Sequence, residues 1–330
     1  VASPFDCSYL IPVRWQDGAQ RSEMTEYLAE LAALGPEIIV VDGSPATVLA
    51  ANADAWRAHV AVHVPPAPAE ACLNGKVAGV RTAAALATRE RLVIADDDVR
   101  YEGDTLGRLL DLLGEFDLVR PQNYFDPLPW HARWDSARTL LNRSFGADFP
   151  GTLGVRRSRF LAMGGYDGDV LFENLELIRT VRAHGGRTCS PLDLYVRRLP
   201  PSSAHFRGQR VRQAYDDFAL PTRMALELAL VPAVGLGLSR RRADLLAVAA
   251  AAFVLAAERG RRRAGGGRFF PASASLLAPV WVAERGVCAW LALLRRRTGG
   301  IRYAGSLIAV AAHSEVDLRR RLPEPTKRST

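Results

Sequence analysis

The sequence predicts an α/β fold with a mostly parallel sheet, followed by an apolar helical region. Three observations carry this. Apolar runs of strand length alternate with helix-period segments through the first half of the chain. Two of those runs end on acidic residues, Asp42 and the triplet Asp96-Asp97-Asp98. After Leu220-Pro221 the alternation stops, and long uncharged stretches separated by arginine clusters take over.

Taken in order, residues 7–13 read as a short buried strand ending near Arg14. Met24, Tyr27, Leu28, Leu31 and Leu34 have helical spacing, so 21–34 is an amphipathic helix closed by Gly35-Pro36. Ile38 to Val41 is a continuous β-branched run, the mark of a parallel strand covered on both faces, and Asp42-Gly43-Ser44-Pro45 turns the chain at its end. Residues 60–64 form a third strand, 75–88 a helix, 92–95 a fourth strand and 104–114 a helix. Residues 118–122 and 151–156 are strand candidates, and the aromatic, Pro-rich stretch 123–150 is expected to form a loop or helix over the site. Residues 173–184 are helical, residues 199–215 are polar and basic, and His205 is expected in a polar loop, Ser202-Ser203-Ala204-His205-Phe206. Segments 224–239, 245–257, 269–283 and 286–294 hold one charged residue at most apart from their arginine borders. A 16-residue helix is about 24 Å long, short of a hydrocarbon core of about 30 Å. Interfacial or re-entrant helices or a tilted hairpin fit these segments, with an Ala-rich soluble subdomain as the rival. The expected organisation is a catalytic domain over 1–215, a membrane-associated helical region over 216–305 and a basic, disordered tail over 306–330.

The net charge of +8 is uneven: residues 201–330 carry 22 Lys+Arg against 9 Asp+Glu, while residues 1–200 carry 21 against 26. The chemistry belongs to the acidic part. The basic part is also the apolar part, which favours an anionic membrane surface and not nucleic acid, for which no recognition motif is present. Four dispersed cysteines argue against a zinc site or disulfide scaffold and for a reducing compartment, and the N-terminal residues show no signal-peptide pattern.

Three adjacent carboxylates repel one another unless a cation neutralises them, and Mg2+ or Mn2+ is held by one or two carboxylates plus phosphate oxygens. In an extended segment residues i and i+2 point the same way, so Asp96 and Asp98 can share one metal while Asp97 turns toward the nucleotide or Arg100. Asp42, at the end of its strand, is placed to accept a hydrogen bond from a nucleotide. Of 43 basic residues only Lys76 and Lys327 are lysines, and Lys76 opens a helix, where an ammonium opposes the dipole unless an anion binds nearby. Glu173, at another helix start, is a candidate general base. Arginines in Gln209-Arg210-Val211-Arg212 can hold phosphate.

In order, Tyr9-Leu10-Ile11-Pro12-Val13, Glu37-Ile38-Ile39-Val40-Val41-Asp42-Gly43-Ser44, Gly75-Lys76, Ala95-Asp96-Asp97-Asp98, Gly164-Gly165-Tyr166-Asp167, Phe172-Glu173-Asn174-Leu175-Glu176-Leu177 and Gln209-Arg210-Val211-Arg212 resemble the motifs of the family 2 glycosyltransferases of GT-A fold, in their membrane-associated form. The likeness covers about residues 8–215, with a weaker match to about 305. It implies a GT-A (Rossmann-like) nucleotide-sugar-binding domain and an inverting, metal-dependent transfer from a nucleotide-diphosphate sugar to a hydroxyl. The acceptor would be lipid-linked or a glycan, at the cell membrane and from its cytoplasmic side. Asp96 and Asp98, with His205, would hold Mg2+ or Mn2+. Pro12, Asp42, Lys76, Asp97, Gln209 and Arg212 would bind the donor. Asn174 stands where the family has its catalytic Asp, so Glu173 or Glu176 would supply the base. The tryptophan of the Q-x-x-R-W motif is replaced by Gln213. A related nucleotidyltransferase, a catalytically impaired sugar-nucleotide-binding protein and a membrane scaffold are the rival readings.

Overall fold

The computed structural model describes residues 5–303 and 305–322. The chain opens with β1 (Ser8–Val13), α1 (Arg21–Leu34), β2 (Glu37–Asp42), α2 (Ala46–Trp56), β3 (Val62–Val64), α3 (Gly75–Leu86) and β4 (Arg91–Ala95). It continues through β5 (Val99–Arg100), α4 (Gly103–Leu113), β6 (Leu118–Val119), β7 (Gln122–Phe125), α5 (Trp130–Phe145), β8 (Thr152–Arg156), α6 (Arg157–Ala162) and α7 (Glu173–Ala183). Next come β9 (Thr188–Cys189), β10 (Tyr195–Arg198) and α8 (Ser203–Asp216). The remainder is helical, with α9 (Pro221–Ser239), α10 (Ala243–Arg262), α11 (Ala272–Leu276) and α12 (Ala278–Arg297), before β11 (Ile301–Tyr303), β12 (Ser306–Ile308) and α13 (Glu315–Arg320).

The main sheet runs β3-β2-β1-β4-β8-β6-β9. Its first four strands are parallel, and β8 lies antiparallel to both neighbours. Side chains alternate along each strand, so the continuous apolar runs feed two cores. Tyr9, Ile11, Ile38, Val40 and Val93 pack under α1, α2 and α4. Leu10, Ile39, Val41, Leu92 and Ile94 pack against α3, α6 and α7. The parallel strands β1, β2 and β4 therefore end on the same edge, with the Asp42 turn and the acidic triplet on either side of the β1 end. A second sheet, β5-β10-β7, carries Arg198 to that edge.

The C-terminal helices are packed onto the α/β body. Helix α10 runs along α5, and α12 lies against α8 and α9. Gly260 makes the first contact possible: a Cβ there would stand 1.9 Å from the Leu140 carbonyl oxygen. Arg143, fully buried on α5, donates to the carbonyls of Gly260, Arg263 and Leu192. The outer faces of these helices are apolar and exposed, with Leu226, Leu236, Leu238, Val248, Leu255 and Leu294 among them. Pro221–Ser239 is long and apolar enough to cross a membrane.

Two expectations change here. Helix α2 was not anticipated; its pattern is weak because one of its two fully buried residues is polar, Asn52, the other being Trp56. Residues 306–322 are not a disordered tail: β12 pairs with β11, Val310 bridges Val170, and His313 binds Glu176. The expected tail beyond 322 lies outside the described residues.

Candidate active site

A cleft of about 2200 Å³ opens over the strand ends, bounded by the β1 and β4 termini, the start of α7, one face of α8 and the β11 strand with Thr298 and Leu307. Its floor is an ion-pair lattice. Lys76 Nζ stands 2.5 Å from Asp96 Oδ1 and 2.6 Å from Glu173 Oε1. Arg198 Nε donates to both Asp98 carboxylate oxygens at 2.9 Å, and its Nη2 to Asp96 Oδ2 at 3.2 Å. Gly151 has no side chain at this point because a Cβ would lie 2.6 Å from Asp96 Oδ2. Asp97 turns the other way, accepting from Trp15 Nε1 at 2.5 Å. Its carboxylate therefore meets Trp15, while Arg100 reaches only its backbone carbonyl.

The lattice is short of positive charge. Asp96, Asp97, Asp98 and Glu173 bring four carboxylates, and Lys76 and Arg198 bring two cations. Burial and then the neighbouring Asp96 and Asp97, against the opposing pull of Arg198, leave the Asp98 carboxyl raised to about 6. Burial also pushes Asp97 above the usual carboxylate range. Two surplus negative charges on hard oxygen ligands fit one divalent cation such as Mg2+ or Mn2+.

Helix α8 lines the opposite wall. Ser202 caps its start by accepting from the His205 amide at 3.2 Å. His205 is thus helical, not in a loop. The polar sequence hid this because the buried face includes Arg210, which pairs with Asp135 and Glu284. His205, Gln209, Arg212 and Asp216 follow at intervals of four, three and four on the cleft-facing side. Burial, and then Arg212, lower the His205 pKa, so its imidazole is neutral near pH 7. Its Nε2 abuts the Gln209 side-chain amide. The Arg212 guanidinium lies 5.0 Å from the Tyr303 ring centre.

Pro12, Lys76, Asp96, Asp97, Asp98, Glu173, Asn174, His205, Gln209 and Arg212 all line this one cleft. Two expected site residues do not. Asp42 is fully buried and accepts from the Ser44 amide at 2.9 Å, from Asn52 at 2.8 Å and faces His63 Nε2 at 3.3 Å. Burial works to raise its pKa, but these hydrogen bonds outweigh it and hold Asp42 at about 2. It shapes the turn that presents Gly43 to the cleft. Glu176 is also fully buried, pointing away to accept from the His313 amide at 2.7 Å and to meet its Nδ1 at 2.9 Å. It is not available as a base. Asn174 donates to the Pro150 carbonyl at 2.9 Å.

Sequence reasoning missed Trp15, Arg198 and Asp216. Arg198 sits 100 residues from Asp98 in the chain, and nothing local in Tyr195–Arg198 distinguishes it from a surface arginine. Asp216 carried one usable signal, its spacing from Arg212 and Gln209.

Searches of protein-family models and of curated proteins give no match to this chain. Solved structures do match. A mannosyltransferase from Pyrobaculum calidifontis, determined with GDP-mannose and Mn2+, aligns with a TM-score of 0.54 and 18% identity over 86% of each chain. S. aureus TarS (residues 1–349) aligns at 0.45 and 15% identity over 65% of this chain and 62% of its own. Glucosyl-3-phosphoglycerate synthase from Mycobacterium tuberculosis, with Mn2+, UDP and glucosyl-3-phosphoglycerate, aligns at 0.41 and 15% over 60% and 74%. The first likeness establishes the architecture: this chain has the GT-A-type α/β fold, a mixed sheet with a parallel centre, shared with that mannosyltransferase.

Proposed function

We propose that the protein is a glycosyltransferase that moves a sugar from a nucleotide-diphosphate donor to a hydroxyl acceptor with inversion. The observation that carries this is the charge-deficient lattice of Asp96, Asp97, Asp98 and Glu173 around Lys76 and Arg198, at the strand ends of a GT-A-type sheet. Ligands of such sheets bind beyond the carboxyl ends of the strands.

In this reading Asp96 and Asp98, with His205 nearby, hold Mg2+ or Mn2+. When bound, the cation supplies Lewis-acid neutralisation of the leaving diphosphate. Lys76 and Arg212 add fixed positive charge where the leaving group gains negative charge. Glu173 orients Lys76 by its 2.6 Å contact. Pro12, Gly43, Trp15 and Gln209 line the same cleft, and in this reading the first three would face the nucleotide and Gln209 the sugar. The acceptor oxygen bonds to the anomeric carbon as the carbon–oxygen bond to the diphosphate breaks, and the electron pair leaves with the nucleoside diphosphate.

The exposed apolar faces of α9, α10 and α12, bordered by Arg240 to Arg242 and Arg295 to Arg297, support docking on an anionic membrane surface. Leu291, Leu294 and Arg295 of α12 also line the cleft mouth. That continuity favours a lipid-linked acceptor entering from the membrane side.

The test is product analysis with a panel of sugar nucleotides, with and without Mn2+ or Mg2+. Release of nucleoside diphosphate supports the reading. Release of pyrophosphate from a nucleoside triphosphate and a sugar phosphate makes the protein a nucleotidyltransferase instead.

A further inference from the structure

Asn174, beside Glu173 at the start of α7, is a neutral amide that donates to the Pro150 carbonyl and cannot take a proton, so the proton of the acceptor hydroxyl needs another destination. The cleft contains seven carboxylates among its described residues. Six of them are engaged: Glu23 by Arg100, Asp96 by Lys76 and Arg198, Asp97 by Trp15, Asp98 by Arg198, Asp135 by Arg210, and Glu173 by Lys76. Asp216 is the seventh. Its Oδ1 is buried with no hydrogen-bond partner.

Its position is also costly. Asp216 is the last residue of α8, where a carboxylate opposes the helix dipole. A buried, unpaired oxygen adds a desolvation cost. On the same face of the helix, Arg212 stands one turn away against Tyr303. Four charged groups bear on Asp216: Arg212 on its own helix, Asp217 beyond it, Glu173 from α7 and Arg285 from α12.

We propose that Asp216 is the general base of the transfer, receiving the acceptor proton on its carboxylate. This assignment rests on the glycosyltransferase reading. The acceptor O–H bond breaks as its oxygen bonds to the anomeric carbon, the proton passes to Asp216, and the nucleoside diphosphate departs with the electron pair of the broken bond. The environment suits the task. Burial, helped by Asp217 and Glu173 and opposed by Arg212 and Arg285, raises the Asp216 carboxyl to about 7. A base of that strength works best near neutral pH.

The experiment measures hydrolysis of UDP-glucose and GDP-mannose by the full chain with Mn2+ between pH 5 and 9, alongside calorimetric binding of the same donors. Wild type is expected to gain rate through a midpoint near 7. Asp216→Asn should bind donor within about twofold of wild type, lose at least about 10²-fold in rate and lose the midpoint. Asp216→Glu should regain part of the rate and keep a pH midpoint. Glu173→Gln should weaken donor binding through Lys76 yet retain the midpoint near 7. The assignment is overturned if Asp216→Asn keeps the wild-type rate and profile, or if Glu173→Gln alone removes the midpoint. Loss of rate together with loss of donor binding in Asp216→Asn also overturns it, because Asp216 would then be structural. Absence of binding and hydrolysis in wild type with these two donors and with the remaining nucleotide-diphosphate sugars of the panel overturns the glycosyltransferase reading, and this assignment with it.

Discussion

Replacing Arg198 with Met should expose how the acidic triplet is held together. Arg198 makes three hydrogen bonds to Asp98 and Asp96, and its side chain is 25% exposed. Methionine fills most of the aliphatic volume and removes the charge. Removing one partner of a buried pair costs about 3–5 kcal/mol, and partial exposure sets the expectation at the low end, about 3 kcal/mol. Urea unfolding in EDTA, followed by tryptophan fluorescence, should show that loss as a lower midpoint with an unchanged slope. Adding Asp98→Asn to Arg198→Met should restore more than half of it, since the orphaned charge is then gone. Mn2+ should stabilise Arg198→Met more than wild type, because Asp98 and the Oδ2 of Asp96 lose their cation while Lys76 keeps Asp96 Oδ1. A variant within about 0.5 kcal/mol of wild type, or a double variant no more stable than Arg198→Met, refutes this account of the lattice.

Three further outcomes are expected. Asp42 is held at about 2, below an unfolded value of about 3.9, so its stabilisation is present above pH 4 and lost as pH falls toward 2. Asp42→Asn should therefore cost about 2 kcal/mol at pH 7 in urea titrations, with a gap to wild type that closes toward pH 2. Gly260→Ala should destabilise by about 1–3 kcal/mol, since its Cβ would collide with the Leu140 carbonyl between α10 and α5; an unchanged midpoint would mean the two helices part easily. Changing Arg240, Arg241 and Arg242 together to Gln should weaken co-sedimentation with anionic vesicles by about 10²-fold, at about 1 kcal/mol per residue, and leave neutral vesicles unaffected. Equal loss on both vesicle types would contradict an electrostatic contribution.

The parallel centre of the sheet, β1, β2 and β4, was legible because these strands are continuous apolar runs, a local signal that needs no partner, whereas the short β5, β9 and β10 carry no such run and were not anticipated. The triplet was legible for the same reason: it stands directly after Leu92 to Ala95. Lys76 stood out because the chain otherwise writes its basic residues as arginine. What the sequence withheld is pairing across the fold. Arg198 meets Asp98 and Asp96 only after β10 joins the second sheet. Glu176 looked like a second candidate base until His313, 137 residues away, claimed its carboxylate. Asp42 showed its place at a strand end but not its direction, which Asn52 and His63 decide. The start of helix α8 was read as a loop because Arg210, paired with Asp135 and Glu284, interrupts the apolar stripe of Phe206, Ala214 and Tyr215 that would announce a helix.

The most direct test of the central claim is calorimetric titration of a nucleotide-diphosphate sugar panel into wild type and Asp96→Asn/Asp98→Asn, each with Mn2+ and with EDTA. The account predicts that wild type binds at least one donor, that EDTA weakens binding at least about tenfold, about 1.4 kcal/mol, and that the double variant binds weakly with or without metal. Donor binding of equal strength in all four conditions would contradict it.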